Sequence, residues 1–136
     1  MMAKIRVRDL QLNLRSSGEG PPIVWGHSLM SSMAVEDALG WFNPEDWRPD
    51  KVKLVRYDAR GHGQSEVSTT PDAYHWRNLG RDMLAVADAV GAQRFVAGGA
   101  SMGCATALYA ALQAPERVKG LVLMIPPTAW ETRAAQ

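Results

Sequence analysis

The 136-residue sequence is poor in the residues that build covalent and metal frameworks. It has one cysteine, Cys104, and three histidines, none of them beyond position 75. A single thiol excludes an internal disulfide framework and any site built from several cysteines, and it fits a reducing compartment. Neither sign of charge is in excess, since 15 Lys+Arg against 14 Asp+Glu leaves +1. Surfaces that neutralise phosphates carry a clustered basic excess, so the balance argues against nucleic acid or membrane as a partner. No run approaches the roughly 20 uninterrupted apolar residues of a spanning helix. The start, Met1-Met2-Ala3-Lys4-Ile5-Arg6-Val7-Arg8, alternates charge with apolar residues, unlike the continuous apolar core of a secretory signal. What is present, 46% hydrophobic and 21% charged residues, suits one soluble globular domain, with the cytoplasm as the expected location.

No repeat or linker-like tract divides the chain. Residues 4–7 and 10–15 alternate apolar with polar, which predicts two half-buried strands meeting at a tight turn on Asp9. After the Gly/Ser/Pro punctuation of residues 16–22, Ile23-Val24-Trp25 reads as a short strand entering Gly26-His27-Ser28. Ser31 or Ser32 can cap a helix over about 33–41, with Glu36 and Asp37 near its positive end and Asn43-Pro44 as its stop. A strand over 52–57 leads into a glycine-rich turn over 58–65. Trp76, Leu79, Met83, Val86 and Val90 then recur at spacings of three and four, the mark of an amphipathic helix that ends at Gly91. Arg77, Arg81, Asp82 and Asp88 fall on its other faces. Residues 94–98 predict a strand, 102–114 a helix stopped before Pro115, and 118–125 a last, almost wholly apolar strand. Helices alternating with apolar strands predict an α/β fold, a mostly parallel sheet with helices on both faces and right-handed crossovers.

The sharpest local feature is Gly99-Ala100-Ser101-Met102-Gly103, a G-x-S-x-G that leaves a strand and opens a helix. A serine on such a corner stands above the sheet edge at the positive end of the helix, and the glycines admit backbone on both sides. The same turn aims the Met102 N–H at a developing oxyanion. The competing reading is a small-residue corner that merely packs helix on sheet, which Gly103, Cys104, Ala105 and Ala107 would also serve. A dinucleotide fingerprint fits poorly, because Ala100 stands where the middle glycine of G-x-G-x-x-G belongs. Gly26-His27-Ser28-Leu29 follows an apolar strand, where a hydrolase would place a second oxyanion donor, the Leu29 N–H. The segment Asp58-Ala59-Arg60-Gly61-His62-Gly63-Gln64-Ser65 is read as structural, a sharp turn pinned by Asp58 and Arg60.

With these three segments in this order, the chain resembles the α/β-hydrolase superfamily, in particular its esterase, lactonase and haloperoxidase-like members. The resemblance implies Ser101 as nucleophile, Met102 and Leu29 as oxyanion donors, a carbonyl-bearing small molecule as substrate, and no cofactor. Ser28 departs from the glycine usual in the family. The larger departure is length: such members run to roughly twice this chain, in the order Ser, Asp/Glu, His. After Ser101 there is no histidine, and the carboxylates are Glu116, at the far end of the helix, and Glu131. His27 reads as a structural hydrogen-bonder, His62 as part of the tight turn, His75 as solvated or capping, and Cys104 as a buried small residue. The expectation is therefore the amino-terminal part of a single α/β-hydrolase domain, cut after about the sixth strand at the entrance to the cap, with its catalytic acid and histidine elsewhere. Alone it should be nearly inactive. Its last strand, apolar on both faces with one edge unpaired, is a template for self-association. The alternative is a non-catalytic half-domain that binds a small ligand or partner chain through that open edge.

Overall fold

The computed structural model describes residues 2–43 and 46–127. In chain order the elements are β1 (Met2–Val7), β2 (Leu10–Ser17), β3 (Pro22–Gly26), α1 (Met33–Ala38), β4 (Lys53–Tyr57), a short 3₁₀ turn (Pro71–Tyr74), α2 (Trp76–Ala89), β5 (Phe95–Ala100), α3 (Met102–Gln113) and β6 (Val118–Met124). The six strands form one sheet in the order β1-β2-β4-β3-β5-β6. The β1–β2 hairpin joins β4 antiparallel, and β4, β3, β5 and β6 run parallel. This is the α/β architecture that the alternation of patterns predicts.

Alternation along the strands sorts their side chains onto two faces. Leu12, Leu14, Val24, Val55, Phe95 and Ala97 point to one face and meet Leu79, Met83 and Val86 of α2 and Ala107 and Ala110 of α3 in the main core. Gly80 lets α2 and α3 cross closely, because a Cβ there would press on Tyr109. Ile23, Trp25 and Leu54 point to the opposite face, where Phe42 and Trp47 pack on them beside α1. There Glu36 accepts from the Trp25 indole N–H at 2.8 Å and pairs with Arg56 at 3.3 Å. Burial holds the Glu36 carboxyl above the usual carboxylate range despite both donors.

Three local readings change. The helix expected over 33–41 ends at Ala38, because Gly40 adopts a left-handed φ of 75°. Gly40 N–H then reaches the Asp37 carbonyl and Trp41 N–H the Glu36 carbonyl, which closes the helix end before the Asn43-Pro44 stop. Ser32 is the residue that caps its start, accepting from Val35 N–H. Asp82, expected on an outward face of α2, is buried, because Arg60 reaches it with two hydrogen bonds of 2.6 and 2.8 Å and Arg8 with a third. The strand expected over 118–125 stops at Met124, with Ile125 at a left-handed φ of 53°. Among the described residues no helix is long and apolar enough to cross a membrane.

Candidate active site

The carboxyl ends of β3, β4 and β5 lie side by side, so the segments that follow them converge at one sheet edge, where open α/β sheets form their sites. Gly26 is the register partner of Gly99, two residues before Ser101. A Cβ on Gly99 would collide with the Gly103 backbone, and one on Gly103 with the Gly26 carbonyl. Three glycines thus bring two strand ends and the first turn of α3 into backbone contact. The G-x-S-x-G supplies two of them. Gly26 is the third, and its signal in the sequence is only its position at the end of a short apolar strand.

Ser101 is held on this corner at φ 50° and ψ −109°. A non-glycine residue in such a conformation costs about 1–3 kcal/mol and persists where surroundings over-determine it. Here its N–H donates to the Met124 carbonyl of β6 at 2.9 Å, and its carbonyl accepts from Cys104 N–H at 2.9 Å. The side chain is not used to cap α3. Met102 is the first residue of α3, where the backbone N–H has no carbonyl within the helix to donate to. Leu29 stands in a turn from Ser28 to Ser31, closed by Ser31 N–H to the Ser28 carbonyl at 3.1 Å. The Ser28 hydroxyl donates to the Ala100 carbonyl at 3.3 Å, tying that turn to the residue before Ser101. A glycine there, as the resemblance leads one to expect, would lack this tie.

Asp58 and Arg60 pin the glycine-rich segment as read from the sequence. Asp58 accepts from Met33 N–H, Gln64 N–H and the Asn13 amide. Arg60 spans Asp82, Asp9 and Ser68. His27 is buried, donates from Nδ1 to the Ser28 carbonyl at 2.7 Å and accepts the Ala59 N–H at Nε2, 2.9 Å. Burial pushes its imidazole below the ordinary range. His62 donates from Nδ1 to the Arg60 carbonyl and accepts the Met30 N–H at Nε2, 3.1 Å. Both nitrogens of both rings are therefore committed, and neither ring offers a lone pair for proton abstraction. His75 is exposed at the start of α2, and Glu116 is exposed beyond the opposite end of α3. Glu131 lies outside the described residues. Cys104 is buried, its thiol pushed up by burial and donating toward the Gly99 and Met124 carbonyls, which is no setting for a nucleophile. Among the described residues no group of His, Cys, Asp and Glu could hold a metal ion.

A serine on a three-glycine strand–helix corner, in a mostly parallel sheet of this order, defines a class of protein, and comparison with known proteins agrees with it. A family model for the alpha/beta hydrolase fold matches residues 43–136, and the chain belongs to that family. It is 27% identical to 3-oxoadipate enol-lactonase 2 of Acinetobacter baylyi over 96% of its own length and 49% of that protein's. It is 33% identical to a proline iminopeptidase of Neisseria gonorrhoeae over 77% of its length and 32% of that protein's. The crystal structure of a hydrolase from Pseudomonas aeruginosa superposes with a TM-score of 0.82 at 32% identity, covering 99% of this chain and 49% of that one. The chain thus spans about half, or less, of the relatives it matches.

Proposed function

We propose that Ser101 is the nucleophile of a serine hydrolase acting on ester or lactone carbonyls. Its Oγ attacks the carbonyl carbon and its proton passes to a histidine base. The tetrahedral oxyanion is received by the Met102 and Leu29 N–H groups. The C–O bond to the leaving group then breaks, and the leaving oxygen takes the proton. Water hydrolyses the acyl-enzyme by the reverse roles and restores the serine. The observation that carries this reading is the strained Ser101 backbone on the glycine corner. The lactonase among the relatives supports the choice of an ester-type carbonyl; the iminopeptidase marks how far substrates diverge on related chains. His27 and His62 are committed elsewhere and His75 is exposed at the start of α2, so in this reading no histidine of the described residues serves as the base.

The test is p-nitrophenyl acetate hydrolysis by the 136-residue chain and its Ser101→Ala variant. Turnover is expected to be no faster in the parent than in the variant, as an oxyanion site without a base gives only residual catalysis. A burst and steady turnover abolished by Ser101→Ala would retain the nucleophile but overturn the missing base.

One observation favours a second reading, in which copies of the chain associate through β6. Among the described residues no strand pairs with its outer edge, and Val122 and Met124 are 45% and 41% exposed. They line a cleft of about 300 Å³ with Trp25, Trp41, Phe42 and Trp47, so an edge-to-edge contact would also cover aromatic surface.

A further inference from the structure

Neighbouring parallel strands β3 and β4 deliver their carboxyl-end loops side by side, and each loop carries one histidine. The two rings lie 5.0 Å apart and are used reciprocally. His27, in the first loop, accepts the Ala59 N–H of the second; His62, in the second, accepts the Met30 N–H of the first. Each Nδ1 faces a carbonyl of its own loop, so the proton sits on Nδ1 and the Nε2 lone pair is left for the opposite loop's amide. The two bonds are also joined through the backbone, because the carbonyl of Ala59 accepts the His62 N–H at 2.9 Å. His27 thus fixes the residue from which His62 hangs.

What this latch holds is the turn beside Ser101. Met30 is 86% exposed and has φ 63°, a left-handed conformation that a side-chain-bearing residue keeps only under external constraint. Its N–H goes to His62, the Ser31 N–H goes to the Ser28 carbonyl, and the Met33 N–H goes to Asp58. The Leu29 N–H makes no hydrogen bond to any described residue. We propose that His62, backed by His27, is a positioning residue for the oxyanion side of the site. By taking up the Met30 amide it holds the left-handed turn that leaves the Leu29 N–H available to the oxyanion. This rests on the reading of Ser101 and Leu29 above. It gives both histidines a purpose in hydrolysis without making either a base.

The test uses the complete protein, labelled with ¹⁵N. Scalar couplings across the two N–H···N bonds, from Met30 N to His62 Nε2 and from Ala59 N to His27 Nε2, are expected in the wild type. No variant is needed to see them. Phosphonylation of Ser101 by a fluorophosphonate should slow at least about tenfold in His62→Ala, a part of the ~10²–10³ that outright loss of an oxyanion donor costs. His62→Gln, whose side-chain oxygen accepts the same amide, should recover to within about threefold of wild type. Absent couplings overturn the latch, and labelling of His62→Ala within about twofold of wild type overturns its positioning role. A wild type with both couplings but no label on Ser101 fails the nucleophile reading, and with it the purpose proposed for the latch.

Discussion

On the α2–α3 face of the sheet, Val24, Val55, Phe95 and Ala97 are fully buried against Met83, Val86 and Ala107, with apolar atoms on both sides of the contact. On the α1 face, Trp25 and Leu54 share their layer with Arg56, Glu36 and Asp37, and among the described residues a six-residue helix and an aromatic loop lie over them. One face is closed by area and the other by charge. The Arg56 guanidinium pairs with Glu36 and Asp37 and lies 4.0 Å from the Phe42 ring centroid, and its Nε finds no hydrogen-bond partner among the described residues. Apolar burial is non-directional and tolerates its neighbours' small shifts. A buried ion pair demands geometry and contributes little net stability, although breaking it is costly. The difference teaches that this sheet is stabilised mainly from one side.

The largest test of that asymmetry lies at the corner where α3 meets the sheet. Gly99→Val and Gly103→Val should each lose about 3 kcal/mol or more, or fail to fold, whereas Ser101→Ala should stay within about 1 kcal/mol of wild type. Urea unfolding followed by tryptophan fluorescence reads all three, and equal midpoints would mean that the corner is not close-packed. A middle-sized effect contrasts the faces directly. Phe95→Ala, at the centre of the closed face, should cost about 3–5 kcal/mol, and Val122→Lys, on the open one, less than about 1 kcal/mol. Sedimentation velocity at micromolar concentration should show Val122→Lys shifting copies of the chain toward monomer. If Val122→Lys destabilises as much as Phe95→Ala, the two faces are equally load-carrying. The smallest effect comes from the carboxyl end of β3, at His27. Its folded pKa is lowered by burial, so the unfolded chain takes up the proton first as pH falls. Its contribution to stability is complete above about pH 6.5 and declines as pH falls toward the lowered folded value. A shallower decline in His27→Asn between pH 7 and 5, relative to wild type, checks the sign.

Most of the fold was legible because its signals are local. Period-two alternation marked β1 and β2, the spacing of Leu79, Met83 and Val86 marked α2, and the glycines around Ser101 marked the corner. The early end of α1 was hidden because Gly40 acts through its backbone conformation, while the apolar pattern runs on past it to Trp41. Asp82 was misplaced because its partners Arg60 and Arg8 are distant in sequence and arrive only when the sheet forms. The histidine latch escaped for the same reason. Its one sequence signal is a histidine in the segment that follows each of two consecutive strands, and that acquires meaning only once those strands are known to be parallel neighbours.

The strand order has a consequence for how the chain is made. Central strand β3 is flanked by β4 and β5, and β5 begins about 70 residues after β3 ends. At a synthesis rate of about 5–20 residues per second, β5 follows by about 4–14 s. During that interval one edge of this central strand, including Trp25, has no partner on the nascent chain. The β1–β2 hairpin and β4 can assemble first, and α2 emerges next. The ribosome therefore exposes the middle of this sheet before its second neighbour exists, and the corner carrying Ser101 is the piece that shuts it.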